Sequence, residues 1–138
     1  MELVHQSEVV FAGKASGPVL RLDAPISFWG GVDPATAKIV LGGHPQSGAT
    51  ISGQILVIPT LIGSSSSSAV LLELMYKNIG PKGLILGNGD AILPIGVLVA
   101  SQMEWPTCPV VKLTAPPFRS GEYVHIHSDG KIVVIPDS

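Results

Sequence analysis

Residues 53–87 read "GQILVIPTLIGSSSSSAVLLELMYKNIGPKGLILG", and the pattern changes period twice. "GQILVIP" (53–59) is a continuous apolar run of β-branched and aliphatic residues, the signature of a central strand covered on both faces. From Ser66 to Ile79 the apolar residues Val70, Leu71, Leu74, Met75 and Tyr76 fall at helical spacing, so a helix is predicted there, opened by N-cap-type serines and stopped at Gly80-Pro81. "KGLILG" (82–87) then reads as a second short buried strand. A strand, a helix and a strand in this order make a β–α–β unit with parallel strands.

On the C-terminal side, "DAILPIGVLVASQM" (90–103) is predicted as a second helix entered through Asp90, with Pro94 near its first turn. "CPVVKLT" (108–114) completes a β–α–β–α–β segment, and "GEYVHIH" (121–127) and "GKIVVIP" (130–136) flank the hairpin turn "SDG". On the N-terminal side, "SEVVFAG" (7–13) and "PVLRLDA" (18–24) read as strands, and 26–48 as a loop with short extended pieces at 26–29 and 38–41. The expectation is one mixed α/β domain over residues 1–138: a small parallel sheet under two main helices, with the β-rich ends forming a second sheet or a barrel.

Composition narrows the function. The chain has 138 residues with 46% apolar and 13% charged, against about 25% charged in an average soluble protein, and a mean hydropathy of +0.46. So few charges suit a subunit that covers part of its surface with a partner. The net charge of −2 and the absence of a basic cluster argue against nucleic acid. The longest apolar stretch, 91–100, falls short of the roughly 20 residues of a membrane span. No secretory signal pattern opens the sequence, and the single Cys108 permits no internal disulfide, so a cytoplasmic location is expected. One cysteine cannot hold an iron–sulfur cluster. His125 and His127 form an H-x-H pair on one face of a strand, without the further Cys, His or Asp ligands that a metal centre needs; no metal site is expected.

The five serines 64–68 lie at a strand–turn–helix junction, with Gly63 for the tight turn. Two readings stand on chemistry alone. Serine is a favoured N-cap, contributing on the order of 1 kcal/mol. Equally, exposed N–H groups and the positive end of the helix dipole suit a carboxylate, a phosphate or a serine alkoxide. A hydrolase elbow would need G-x-S-x-G, and a phosphate-binding P-loop would need G-x-x-x-x-G-K-[ST]; neither is present.

Taken together, "FWGGVDP" (28–34), "GQILVIPTLIGSSSSSAVLLEL" (53–74), "KGLILGNGDAILPIGVLVA" (82–100) and "PVV" (109–111) resemble the small, swivelling subunit of the aconitase X proteins. The resemblance implies the swivelling β/β/α domain that closes over the active site of aconitase-like hydro-lyases. It also implies a large catalytic partner subunit bearing the iron–sulfur cluster, and dehydration of a hydroxy acid. In aconitase and isopropylmalate isomerase a serine of a G-S-S-R turn in this domain is the base. The match of Gly63-Ser64-Ser65 to that turn implies a catalytic Ser64, with Gly63, Ser65 and Ser66 beside the substrate. Ser66 stands where aconitase has an arginine after the second serine, so a carboxylate clamp falls to the partner or to backbone amides. Asp33, in "GGVDP", has two readings: a group orienting a substrate amine or partner side chain, or a turn residue. The family offers two substrates, cis-3-hydroxy-L-proline and 5-phosphomevalonate. The uncharged lead-in Thr60-Leu61-Ile62 replaces the basic residues of archaeal small subunits and favours hydroxyproline. A rival of another class is a non-catalytic domain that binds a small anion or a protein.

Overall fold

The computed structural model describes residues 3–62, 65–89 and 92–135. Eight strands form one mixed sheet: β1 (Leu3–Gln6), β2 (Glu8–Phe11), β3 (Ala15–Arg21), β4 (Ile55–Leu61), β5 (Gly83–Gly89), β6 (Val110–Lys112), β7 (Tyr123–Ile126) and β8 (Lys131–Ile135). Their spatial order is β1-β8-β7-β3-β4-β5-β6-β2. Three helical elements accompany them: a single turn α1 (Phe28–Gly31), α2 (Ser65–Tyr76) and α3 (Ile95–Gln102).

The β–α–β–α–β segment is as the periodicity predicts. β3, β4, β5 and β6 are parallel neighbours, with Leu56 opposite Leu84 and Ile85 opposite Val111. Alternate residues of β4 point to opposite faces, and both faces are buried, which is why the run is apolar without interruption. Leu56 and Ile58 join the core with Leu71 and Leu74 of α2 and Val97 of α3. Ile55 and Val57 join a second core with Ile85, Val111, Val124, Ile126 and Ile132.

Of the two forms expected for the β-rich ends, a second sheet or a barrel, the structure is nearer the barrel. β3 is shared: Ala15–Pro18 pair antiparallel with β7, and Val19–Arg21 pair parallel with β4. The two ends of the strand order, β1 and β2, are separated in sequence by Ser7 alone, so the sheet curls until its ends meet. Ser7 pins the junction, its N–H and its hydroxyl both donating to the Gly130 carbonyl at 3.0 and 2.6 Å. The second core fills the inside of this half-closed barrel, and α2, α3 and the 22–51 segment cover the outside. The predicted strand 7–13 begins at Glu8 as β2; β1 precedes it, largely exposed and therefore without an apolar pattern to announce it.

Helix α2 ends before the predicted Gly80-Pro81 stop. Asn78 takes a left-handed conformation (φ 56°), and the N–H groups of Asn78 and Ile79 return to the carbonyls of Met75 and Leu74, both at 3.0 Å. This is a Schellman cap, with asparagine in place of the usual glycine. Tyr76, expected on the apolar face, is exposed and stacks edge-on against Trp105. α3 starts at Ile95 rather than at residue 90, because Pro94 occupies the cap (φ −62°) and has no N–H to continue a helix from upstream; Asp90 lies outside the described residues. The piece predicted as extended at 26–29 is one bridge, Ile26 beside Leu61, followed by a tight turn. Gly31 is required there, since a Cβ would stand 2.8 Å from the Ile26 side chain. His44 is buried in the 22–51 segment. Its Nδ1 accepts the Gln46 N–H at 3.0 Å, which places the proton on Nε2, 3.1 Å from the Ala24 carbonyl.

Candidate functional site

Ligands of open parallel sheets gather beyond the carboxyl ends of the strands. Here β4 ends at Leu61, shortly before the serine run in the sequence, and β5 ends beside it at Gly89. Gly63 and Ser64 lie outside the described residues. Ser65 opens α2, and Ser66 is half-buried in its first turn.

Ser67 departs from the capping reading. It is 1% exposed, and its hydroxyl reaches a different segment. Its Oγ accepts the Trp29 N–H at 3.2 Å and shares a hydrogen bond with the Ser27 hydroxyl at 2.9 Å. A second tie lies alongside, where the Ile62 N–H donates to the Ile26 carbonyl at 2.9 Å. The 26–29 segment is thus fastened both to the end of β4 and to the first turn of α2. Sequence reasoning assigned no role to Ser27 or Trp29 and read Ser67 as a cap, since the contact spans forty residues of chain and leaves no local pattern.

Asp33 forms a local turn. Its Oδ1 accepts the Ala35 N–H at 2.9 Å, and its carbonyl accepts the N–H groups of Thr36 and Ala37. It also lines a shallow, mostly apolar depression of about 450 Å³ with Trp29, Gly30, Pro34, Val40 and Val70. Val70 belongs to α2, so the depression joins the Asp33 loop to the helix that begins at the serine turn. The structure brings Asp33, Trp29 and the early part of α2 together on one side of the sheet.

Other reactive side chains lie apart from this region. His125 meets the Ser16 hydroxyl at 3.0 Å through Nδ1 and stacks edge-on against His127 with ring centroids 4.4 Å apart. Among the described residues no three His, Cys, Asp or Glu come together as a metal site. Cys108 is buried in the outer core, and burial pushes its thiol up to about 12. A thiol held protonated in an apolar core does not suit a cluster ligand, which must be a thiolate. Its folded-state value lies above an unfolded value of about 9, so its contribution to stability is complete below pH 9. That contribution is lost as pH rises from 9 towards 12. Urea denaturation of the wild type and of Cys108→Ala between pH 8 and 10.5 is expected to show a steeper decline in the wild type, with an added slope approaching about 1.4 kcal/mol per pH unit. Parallel curves would refute it.

The curled mixed sheet with helices on its outer face defines the swivelling-domain class of fold. A chain in the crystal structure of Thermococcus kodakaraensis aconitase X (holo-form) superimposes with a TM-score of 0.87 at 29% identity, covering 97% of this chain and 99% of that one. The family description "Aconitase X swivel domain" matches residues 4–135, and the chain belongs to that family. It is 45% identical over 107 residues to the cis-3-hydroxy-L-proline dehydratase of Hypocrea jecorina, covering 78% of this chain and only 18% of that protein. It is 32% identical to the phosphomevalonate dehydratase small subunit of Thermococcus kodakarensis, covering 93% of each.

Proposed function

We propose that this chain is, over residues 1–138, the single swivelling domain and small subunit of a hydro-lyase that dehydrates a small hydroxy acid, with cis-3-hydroxy-L-proline as the substrate. The observation that carries the reading is the sequence Gly63-Ser64-Ser65 between β4 and α2, in a chain 45% identical over 107 residues to a hydroxyproline dehydratase. The uncharged Thr60-Leu61-Ile62 lead-in supports the amino acid over a phosphorylated compound. The phosphomevalonate alternative draws on the small subunits of that name that match along 93% of both chains.

In this reading Ser64 is the general base that removes the proton beside the carboxylate. A serine hydroxyl is a weak base in water. N–H groups of the first turn of α2, its positive dipole end and exclusion of water would stabilise the alkoxide. Gly63 gives the turn, Ser65 and Ser66 flank the substrate, and Asp33 orients its amine. The family implies an iron–sulfur cluster in the large subunit; Cys108 does not fit such a group, so this chain contributes proton removal and closure. A partner is supported by large apolar side chains left open, Trp29, Ile62, Ile95, Leu98 and Met103 among them, on a chain with few charges. No described helix is long and apolar enough to cross a membrane.

The test is reconstitution. The chain alone is expected to be inactive, and addition of the large subunit to give loss of water from cis-3-hydroxy-L-proline but not from 5-phosphomevalonate. The reverse preference would establish the alternative. Binding of either compound by the chain alone, with no turnover on reconstitution, would favour the non-catalytic reading. Asp33→Asn separates the two roles of Asp33, because the amide oxygen still accepts the Ala35 N–H while the charge is gone. It is expected to raise KM by roughly 10–100-fold, the loss of a charge-assisted hydrogen bond of about 1.5–3 kcal/mol, with kcat little changed. An unchanged KM would leave Asp33 as a turn residue only.

A further inference from the structure

We infer that Ser67 is a positioning residue that fixes the first turn of α2 against the Trp29–Asp33 lip of the depression. The inference rests on the reading of Ser64 as base. Three observations carry it. Ser67 is the most buried of the polar side chains among the described residues, at 1% exposure, and its hydroxyl reaches Ser27 and the Trp29 amide across the chain. The segment it grips is built to hold one shape. Trp29 (φ −69°, ψ 115°) and Gly30 (φ 78°, ψ −12°) have the dihedrals of a type II turn, whose second central position calls for glycine. That turn presents the Trp29 ring to solvent, 64% exposed, on the lip that also carries Asp33.

A large aromatic ring left exposed on a rigid turn, with its backbone amide tied to the helix that follows the candidate base, makes the two walls of the site move as one body. The Ser67 hydroxyl accepts the Trp29 N–H and shares one further hydrogen bond with the Ser27 hydroxyl. Without it the Trp29 N–H and the Ser27 hydroxyl lose their partner, and the lip keeps the tie of Ile26 to Ile62 and the bond from the Lys77 Nζ to the Pro34 carbonyl. Small misplacements of groups around a reacting atom cost up to about 100-fold in rate.

The experiment compares Ser67→Ala, Ser27→Ala and the double variant in the complex with the large subunit. It is run well below each variant's melting temperature, and backbone amide exchange of Trp29 is followed by NMR in the full chain. Ser67→Ala is expected to lower kcat by about 10–100-fold with KM within about threefold of wild type, and to speed exchange of the Trp29 amide by at least about tenfold. Ser27→Ala, which keeps the Ser67–Trp29 bond and serves if Ser67→Ala does not fold, is expected to lower kcat by about three- to tenfold. The double variant should be no worse than Ser67→Ala, because the two hydroxyls act as a unit. A kcat within twofold of wild type in both single variants, with only the melting temperature lowered, would overturn the inference, as would an unchanged Trp29 exchange rate. If the wild-type complex turns over neither compound, the functional reading fails instead; the Trp29 amide still decides whether the clasp fixes the lip.

Discussion

Ser64→Ala, assembled with the large subunit, is expected to lose dehydratase activity by roughly 10²–10⁴-fold in kcat, the range that a positioned general base contributes. The effect should fall on kcat, because the hydroxyl interacts with the proton in transit and contributes little to ground-state binding. Ser65→Ala should lose far less, and both variants should co-elute with the partner as the wild type does. The contrast is informative because the five serines 64–68 are chemically alike and differ only in position. One of them, Ser67, is already committed to Ser27 and Trp29. A Ser64→Ala complex with activity within threefold of wild type would sink the assignment, whatever the substrate.

The second large effect concerns packing. Gly96 sits in α3 where that helix crosses α2, and a Cβ added there would stand 2.5 Å from the Ser68 carbonyl oxygen, 3.2 Å from the Leu72 nitrogen and 3.3 Å from the Leu71 Cβ. Two of these are backbone atoms of α2 and cannot swing aside. Gly96→Ala would gain up to about 1 kcal/mol in helix propensity, but overpacking costs about 1–3 kcal/mol or more. The close backbone contact makes the second term win, with a net loss of about 2 kcal/mol or more. Urea denaturation should show a lower midpoint with an unchanged slope. The displaced carbonyl belongs to the serine run itself, so kcat of the assembled enzyme should fall as well. A variant as stable as wild type would show that the helices can separate at no cost.

The legible parts of the fold were those written in local pattern. The apolar run 55–58 named a doubly covered strand, and Leu71 and Leu74 named the buried side of α2. The turn "SDG" between the last two strands is present, with the Gly130 N–H returning to the His127 carbonyl at 3.0 Å and Gly130 left-handed at φ 91°. What stayed hidden is non-local. The sharing of β3 between two partners depends on where β4 and β7 arrive, and no feature of residues 15–21 encodes it. Pro94 could sit near the first turn or kink a helix entered earlier, and it occupies the cap of a helix that starts at Ile95. At the site, the serine turn stood out through its composition and the Asp33 loop through "DP", but the hydroxyl bridge joining them had no sequence signal. Buried serines look like any others until the fold places them together.

The meeting of the sheet's two ends at Ser7 bears on how the chain reaches its final form. β1 pairs with β8, matching Leu3 to Val134 and Gln6 to Lys131, while β2 pairs with β6, matching Glu8 to Lys112. β1 and β2 therefore find their neighbours only when β8 and β6, far later in the chain, have been made. Until then the inner core, with Val124, Ile126 and Ile132 among its members, lacks its closing wall. Such distant pairings make for slow, late closure and leave apolar strand edges open during synthesis. The half-closed barrel is a device whose latch is made after the wall that it closes.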